Sequence, residues 1–149
     1  MISRYAIITK ARSFVNVPWV HQGRSKETGI DCVGLIALTA QAFDLTYHDL
    51  AVYSQQPDGI TLHRELDKWF IQKELSDIIP GNILTFWVEH RSRPCHAGII
   101  TNDYRGSLGL VHTWRNKGRC VEHRFVEGSV WWRRIARVYE FPGVEPWQQ

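Results

Sequence analysis

From residue 3 to residue 15 the apolar positions Tyr5, Ile8, Ala11 and Val15 recur at helical spacing behind Ser3, a good cap, and Pro18 closes the run. This predicts a first helix over 3–15. A polar loop, HQGRSKETG, then leads to Asp31. Beyond it Val33, Ile36, Ala40 and Phe43 recur at three and four, one face of a second helix lying on a core, with Asp31 as its cap and Cys32 as its first residue. After the loop YSQQPDG, Thr61 is placed to cap a further helix, TLHRELDKWF. Past Pro80 and Gly81 the texture changes. The runs ILTFWV, HAGIIT, LGLVHTW, RCVEHRF and RRIARVYEF are short and apolar or alternating, and the turn-like RSRP, NDYRGS and RNKG separate them. N-terminal helices packed on a C-terminal antiparallel β-sheet make an α+β fold.

The 149 residues, 44% of them hydrophobic, contain no repeat, low-complexity tract or linker, so residues 1–149 are expected to form a single domain. A chain of this length buries roughly 70% of its unfolded surface and needs neither metal nor disulfide to fold. Cys32, Cys95 and Cys120 are odd in number and include no CxxC pair, which points to free thiols in a reducing compartment. The N-terminal apolar run AIIT is followed by Lys10 and Arg12, so no signal peptide is expected and synthesis is placed in the cytoplasm. No segment approaches the ~18 apolar residues of a membrane span. Net charge is +3, and the arginines are scattered instead of forming the basic block that a nucleic-acid partner would imply. Seven tryptophans suit core packing and interface anchoring better than a base- or sugar-stacking platform.

A cysteine at the first position of a helix changes the picture. Free N–H groups and the positive end of the helix dipole favour thiolate over thiol there. The same N–H groups can hold the oxygen of an attacked carbonyl, worth ~3 kcal/mol per donor. Gly34 costs the helix ~1 kcal/mol, which makes sense if something approaches the backbone at that point. The competing reading of Cys32 is a small buried hydrophobe. Seven histidines could supply a base: His21, His48, His63, His90, His96, His112 and His123. His96 shares a strand face with Gly98 and Ile100, so a glycine clears space beside it; His112 lies deep in an apolar strand. Neighbouring antiparallel strands joined by NDYRGS would set the two rings side by side, His96 as base and His112 orienting it. Cys95–His96 and Cys120–His123 also offer thiols and imidazoles to a metal. Adjacent strand residues face opposite ways, however, and no metal site or cofactor is expected.

The order PWVHQG, GIDCVGLI, PGNILTF, HAGIIT, LVHTW resembles the NlpC-type cell-wall cysteine peptidases, papain-like α+β enzymes that cleave peptidoglycan stem peptides. The likeness spans about residues 10–140, and the HQG loop and the late VEHRFVEGSVWWRRIARVY segment look more like the branch encoded with phage tails. The resemblance implies Cys32 as nucleophile, His96 as general base and acid, and His112 as the residue fixing the imidazole tautomer. It also implies Asp31 and Trp19 as oxyanion- or substrate-positioning residues, Trp19 standing where the family has tyrosine; Gly81–Asn82 stands where the family has Gly-Asp. The implied substrate is a peptidoglycan peptide, cut between γ-glutamyl and a diamino acid, with other tail proteins as partners and a site of action at the bacterial wall. Two other readings use the same chain: a catalytically silent tail component, and an amidase or acyltransferase acting on another amide.

Overall fold

The computed structural model describes residues 1–45, 53 and 58–148; His48 and most of the YSQQPDG loop lie outside them. Its elements, in chain order, are α1 (Arg4–Arg12), β1 (Arg24–Ser25), β2 (Gly29–Ile30), α2 (Cys32–Gln41), α3 (Thr61–Trp69), β3 (Ile71–Lys73), β4 (Ile83–Trp87), β5 (Pro94–Tyr104), β6 (Ser107–Trp114), β7 (Arg119–Arg124), α4 (Val130–Arg133) and β8 (Ile135–Glu140). Six strands form one antiparallel sheet in the order β3-β8-β4-β5-β6-β7, while β1 and β2 make a separate two-stranded ribbon. The α+β arrangement is the one the sequence predicts. None of the described helices is long and apolar enough to cross a membrane.

The sheet buries both faces. On one side Ile83, Ala97, Ile99, Val111, Cys120 and Tyr139 pack against Ile7 and Ala11 of α1, Leu35, Ile36 and Ala40 of α2, and Leu66 of α3. On the other, Leu84, Phe86, Ile100, Leu110, Phe125 and Val138 form a second cluster, covered by Trp131 and Trp132 of α4. Alternation along β4, β5 and β6 sends successive residues into the two clusters.

Two local expectations change. In α1 the buried stripe is Arg4, Ile7, Ile8 and Ala11, and Tyr5 is 71% exposed. Arg4 takes the inner position because its guanidinium is satisfied there: it donates to the Pro80 carbonyl (3.0 Å), Asn82 Oδ1 (2.9 Å), the Glu145 carbonyl (2.7 Å) and Glu140 Oε2 (2.5 Å). Asn82 therefore spends its side-chain oxygen on Arg4, and its backbone N–H closes the turn onto the Ile79 carbonyl. At the start of α3, Thr61 is the first helical residue and not the cap. Asp58 Oδ1 instead accepts from the backbone N–H groups of Ile60 and Thr61, both at 2.8 Å.

Candidate active site

Asp31 is the N-cap of α2. Its Oδ1 accepts from the Gly34 N–H at 2.8 Å and from Arg24 at 3.0 Å, and its Oδ2 accepts from the Gln22 N–H at 2.8 Å and from the Tyr53 hydroxyl. Four donors on one carboxylate pin the HQG loop and the ribbon to the helix start. The HQG loop comes so close that a Cβ on Gly34 would lie 2.3 Å from the Gly23 carbonyl oxygen. The approach expected at Gly34 is thus made by the chain's own loop.

Cys32 follows the cap as the first residue of α2, partly exposed on the wall of a cleft of about 630 Å³. His96, Ala97, Cys95, Trp19, Trp114 and Arg115 line the same cleft. The expected depression of the thiol pKa is overturned. Burial among apolar neighbours pushes Cys32 up to about 12, the Asp31 carboxylate adds to the rise, and backbone hydrogen bonds from Ala97 and Val33 only partly oppose them. The cap that makes the helix start also sets a negative charge beside the sulfur. In the free protein Cys32 is a thiol.

His96 on β5 is 4% exposed, and burial lowers its pKa to about 3, so its ring is neutral. It sits between Phe86 (5.9 Å between ring centroids), Trp114 (5.2 Å) and Trp131 (5.2 Å). Its Nε2 is 2.7 Å from His112 Nδ1, as expected of neighbouring strands. Gly98 makes this approach possible: a Cβ there would meet the Val111 carbonyl oxygen at 2.9 Å and His112 Cβ at 3.0 Å. His112 is buried on β6, and burial, then the adjacent His96 and His123, hold its pKa well below the ordinary imidazole value. Among the described residues no hydrogen bond joins the Cys32 thiol to the His96 ring.

The remaining predicted positions divide. Trp19 forms a cleft wall, with the Arg115 guanidinium 5.4 Å from its ring centroid and its backbone N–H held by the Gly118 carbonyl at 2.9 Å. Cys95 is half-buried in the cleft, and burial raises its pKa. Cys120 belongs to the helix-side core, and burial pushes its thiol up to about 12. His21 Nε2 donates to the Tyr53 carbonyl at 3.0 Å, and His63 Nε2 lies 2.8 Å from Thr85 Oγ1. Three residues outside the predicted set join the site: Arg24 and Tyr53 through Asp31, and His123, whose Nε2 is 2.8 Å from His112 Nε2. His123 has a signal in the alternation of RCVEHRF beside LGLVHTW; Tyr53 has none.

No family model and no curated protein matches the sequence. Solved structures do. A lipoprotein-like NLP/P60 family protein from Staphylococcus aureus is similar over 93% of this chain and 41% of its own, with 14% identity and a TM-score of 0.64. An NlpC/P60 family protein from Bacillus cereus is similar over 93% and 40%, at 13% identity and a TM-score of 0.68. The chain therefore spans about two fifths of the length of these two proteins. The NlpC/p60 domain of the peptidoglycan hydrolase SagA is covered completely, with 94% of this chain, 16% identity and a TM-score of 0.64. With helices before an antiparallel sheet, this chain has the fold of an NlpC/P60 domain.

Proposed function

We infer that this chain is a cysteine hydrolase of peptidoglycan peptides, with Cys32 as nucleophile, His96 as base and acid, and His112 orienting His96. The observation that carries the reading is the joint opening of Cys32, at the capped start of α2, and His96, backed by His112 at 2.7 Å, into one cleft on an NlpC/P60 fold.

Because Cys32 is a thiol and His96 a neutral base, attack and proton transfer go together. As the substrate seats, Sγ bonds to the amide carbonyl carbon while its proton passes to His96. The Cys32 backbone N–H, left unused by the cap, faces the developing oxyanion; one such donor is worth about 10²–10³ in rate. The C–N bond then breaks, and His96 protonates the leaving amine. Water adds to the thioester with His96 taking its proton, the C–S bond breaks to release the carboxylic acid product, and His96 returns the proton to Sγ. Asp31 positions this machinery by holding the helix start, and Trp19 walls the substrate side.

The bond we assign is that between γ-glutamyl and a diamino acid. Delivery by a phage tail rests on the sequence likeness of the HQG loop and the late VEHRF segment. An amidase reading is kept alive by one neighbour, an N-acetylmuramoyl-L-alanine amidase from Bacteroides uniformis, with 11% identity and a TM-score of 0.54. Purified peptidoglycan digested with the protein and separated by chromatography tests both. Stem-peptide fragments that vanish with Cys32→Ala support the reading; release of whole stems from the glycan points to the amidase; no product overturns both.

A further inference from the structure

The rings of His96, His112 and His123 form an unbroken chain across three adjacent strands, ending on a group that can only accept. His96 Nε2 is 2.7 Å from His112 Nδ1, His112 Nε2 is 2.8 Å from His123 Nε2, and His123 Nδ1 is 2.8 Å from the Arg124 carbonyl oxygen. Among the described residues every nitrogen of the three rings has a partner except His96 Nδ1.

A carbonyl oxygen accepts, so His123 Nδ1 carries the proton and donates to Arg124. With one proton on the ring, His123 Nε2 holds a lone pair and accepts from His112 Nε2–H. His112 Nδ1 is then unprotonated and accepts from His96 Nε2–H. His96 is left with its lone pair on Nδ1, the nitrogen not tied up behind the site. With one proton on each ring the order cannot be reversed while the Arg124 carbonyl ends the chain, since each reversal would set two N–H groups or two lone pairs against each other. Aromatic rings wall off the middle of the chain: Trp131 lies 4.9 Å from the His112 ring and 5.2 Å from the His96 ring. No competing donor or acceptor among the described residues reaches His112.

We propose that His123 is a positioning residue for the hydrolysis, fixing through His112 the tautomer in which His96 Nδ1 is the base. The assignment rests on the reading of Cys32 and His96 as the reacting pair, but the tautomer measurement that tests it does not. Long-range ¹H–¹⁵N correlations of the imidazoles in folded, ¹⁵N-labelled protein report each tautomer without any substrate. The expected result is Nε2–H for His96 and His112 and Nδ1–H for His123. In His123→Phe the acceptor for His112 is lost, His96 becomes a mixture of tautomers, and Cys32 alkylation at neutral pH falls about fivefold to tenfold, the worth of one hydrogen bond. His123→Gln, whose side-chain oxygen can accept from His112 Nε2–H, restores the His96 tautomer and most of the rate; a merely structural role would not discriminate between the two variants in this way. His96 found as Nδ1–H in the unaltered protein, or unchanged in His123→Phe, overturns the proposal. The wild-type spectrum alone decides if the variants fail to fold. Correct tautomers in a protein that cuts no peptidoglycan would count against the proposed function and leave the relay standing.

Discussion

Replacing Asp31 with asparagine should weaken the fold and make Cys32 more reactive, two effects that usually do not travel together. Asp31 is 4% exposed, and each of its oxygens accepts two hydrogen bonds. An asparagine has one oxygen, which can keep Gly34 and Arg24. Its NH₂ then faces Tyr53, whose hydroxyl can rotate to accept, and the Gln22 backbone N–H, which cannot. One stranded donor costs about 1–3 kcal/mol. Losing a carboxylate at the N-terminus of α2 adds about 0.3–1 kcal/mol, so a loss of about 1–4 kcal/mol is expected in urea unfolding. The thiol moves the other way. The Asp31 charge is the second cause of the raised Cys32 pKa, after burial, and neutralising it brings that pKa down. At an effective dielectric of about 20, one charge roughly 6–8 Å away is worth about 2–3 kcal/mol and changes the thiolate fraction by about thirtyfold to a hundredfold. Alkylation of Cys32 at pH 8, followed by peptide mass spectrometry, should rise by that factor. Unchanged stability would refute the four-donor account of the cap. Slower alkylation would refute the claim that the carboxylate holds the thiol protonated.

Gly98→Ala places a methyl against the Val111 carbonyl and His112, at 2.9 and 3.0 Å. Overpacking of about 1–3 kcal/mol, less ~0.4–1 from a stiffer unfolded chain, leaves a net loss near ~1–2 kcal/mol, with slower turnover because His112 is displaced; a variant of unaltered stability and rate would contradict so tight a fit between β5 and β6. Arg4→Met strands Glu140 and the Pro80 carbonyl, and should cost about 3–5 kcal/mol and lower the melting temperature by roughly 10 °C, whereas a neutral outcome would mean the buried pair adds nothing. Burial holds the folded pKa of His63 at about 4 and of His96 at about 3, against 6.5 in the unfolded chain. The unfolded state therefore binds more protons below pH 6.5, and stability falls as pH drops from 6.5 toward 4. His63→Gln should make that fall shallower in urea midpoints measured across the window, and an equal slope in both proteins would rule His63 out.

Most of the architecture is legible in the sequence because its signals are local. The cap Asp31, the period of α2 and the turn residues after Pro80 each act within a few positions. The hairpin inside NDYRGS closes at Arg105 and Gly106, both at positive φ, 51° and 82°. What escapes depends on partners far along the chain. Arg4 is buried only because residues 80, 82, 140 and 145 supply acceptors, so the spacing of apolar positions selects Tyr5 in its place. The short strands β1, β2 and β3 carry two or three residues each, too few for alternation to show. Within the site, Cys32, His96 and His112 stand out by residue type and element, and Gly98 by the room it leaves. The charge state of Cys32 does not follow from its place at a helix start alone, because burial and the capping carboxylate both push its pKa up. In the sequence His123 offers itself only as a base or a metal ligand, since its role appears once β7 is known to be the neighbour of β6.

The most direct test of the central claim is the intact mass of the protein quenched in acid during its reaction with a γ-glutamyl–diamino acid stem peptide. The account predicts a transient adduct of the acyl fragment, mapped to Cys32, absent in Cys32→Ala and long-lived in His96→Ala if it forms there at all. Cleavage without any Cys32 adduct, or cleavage that survives Cys32→Ala, would contradict it.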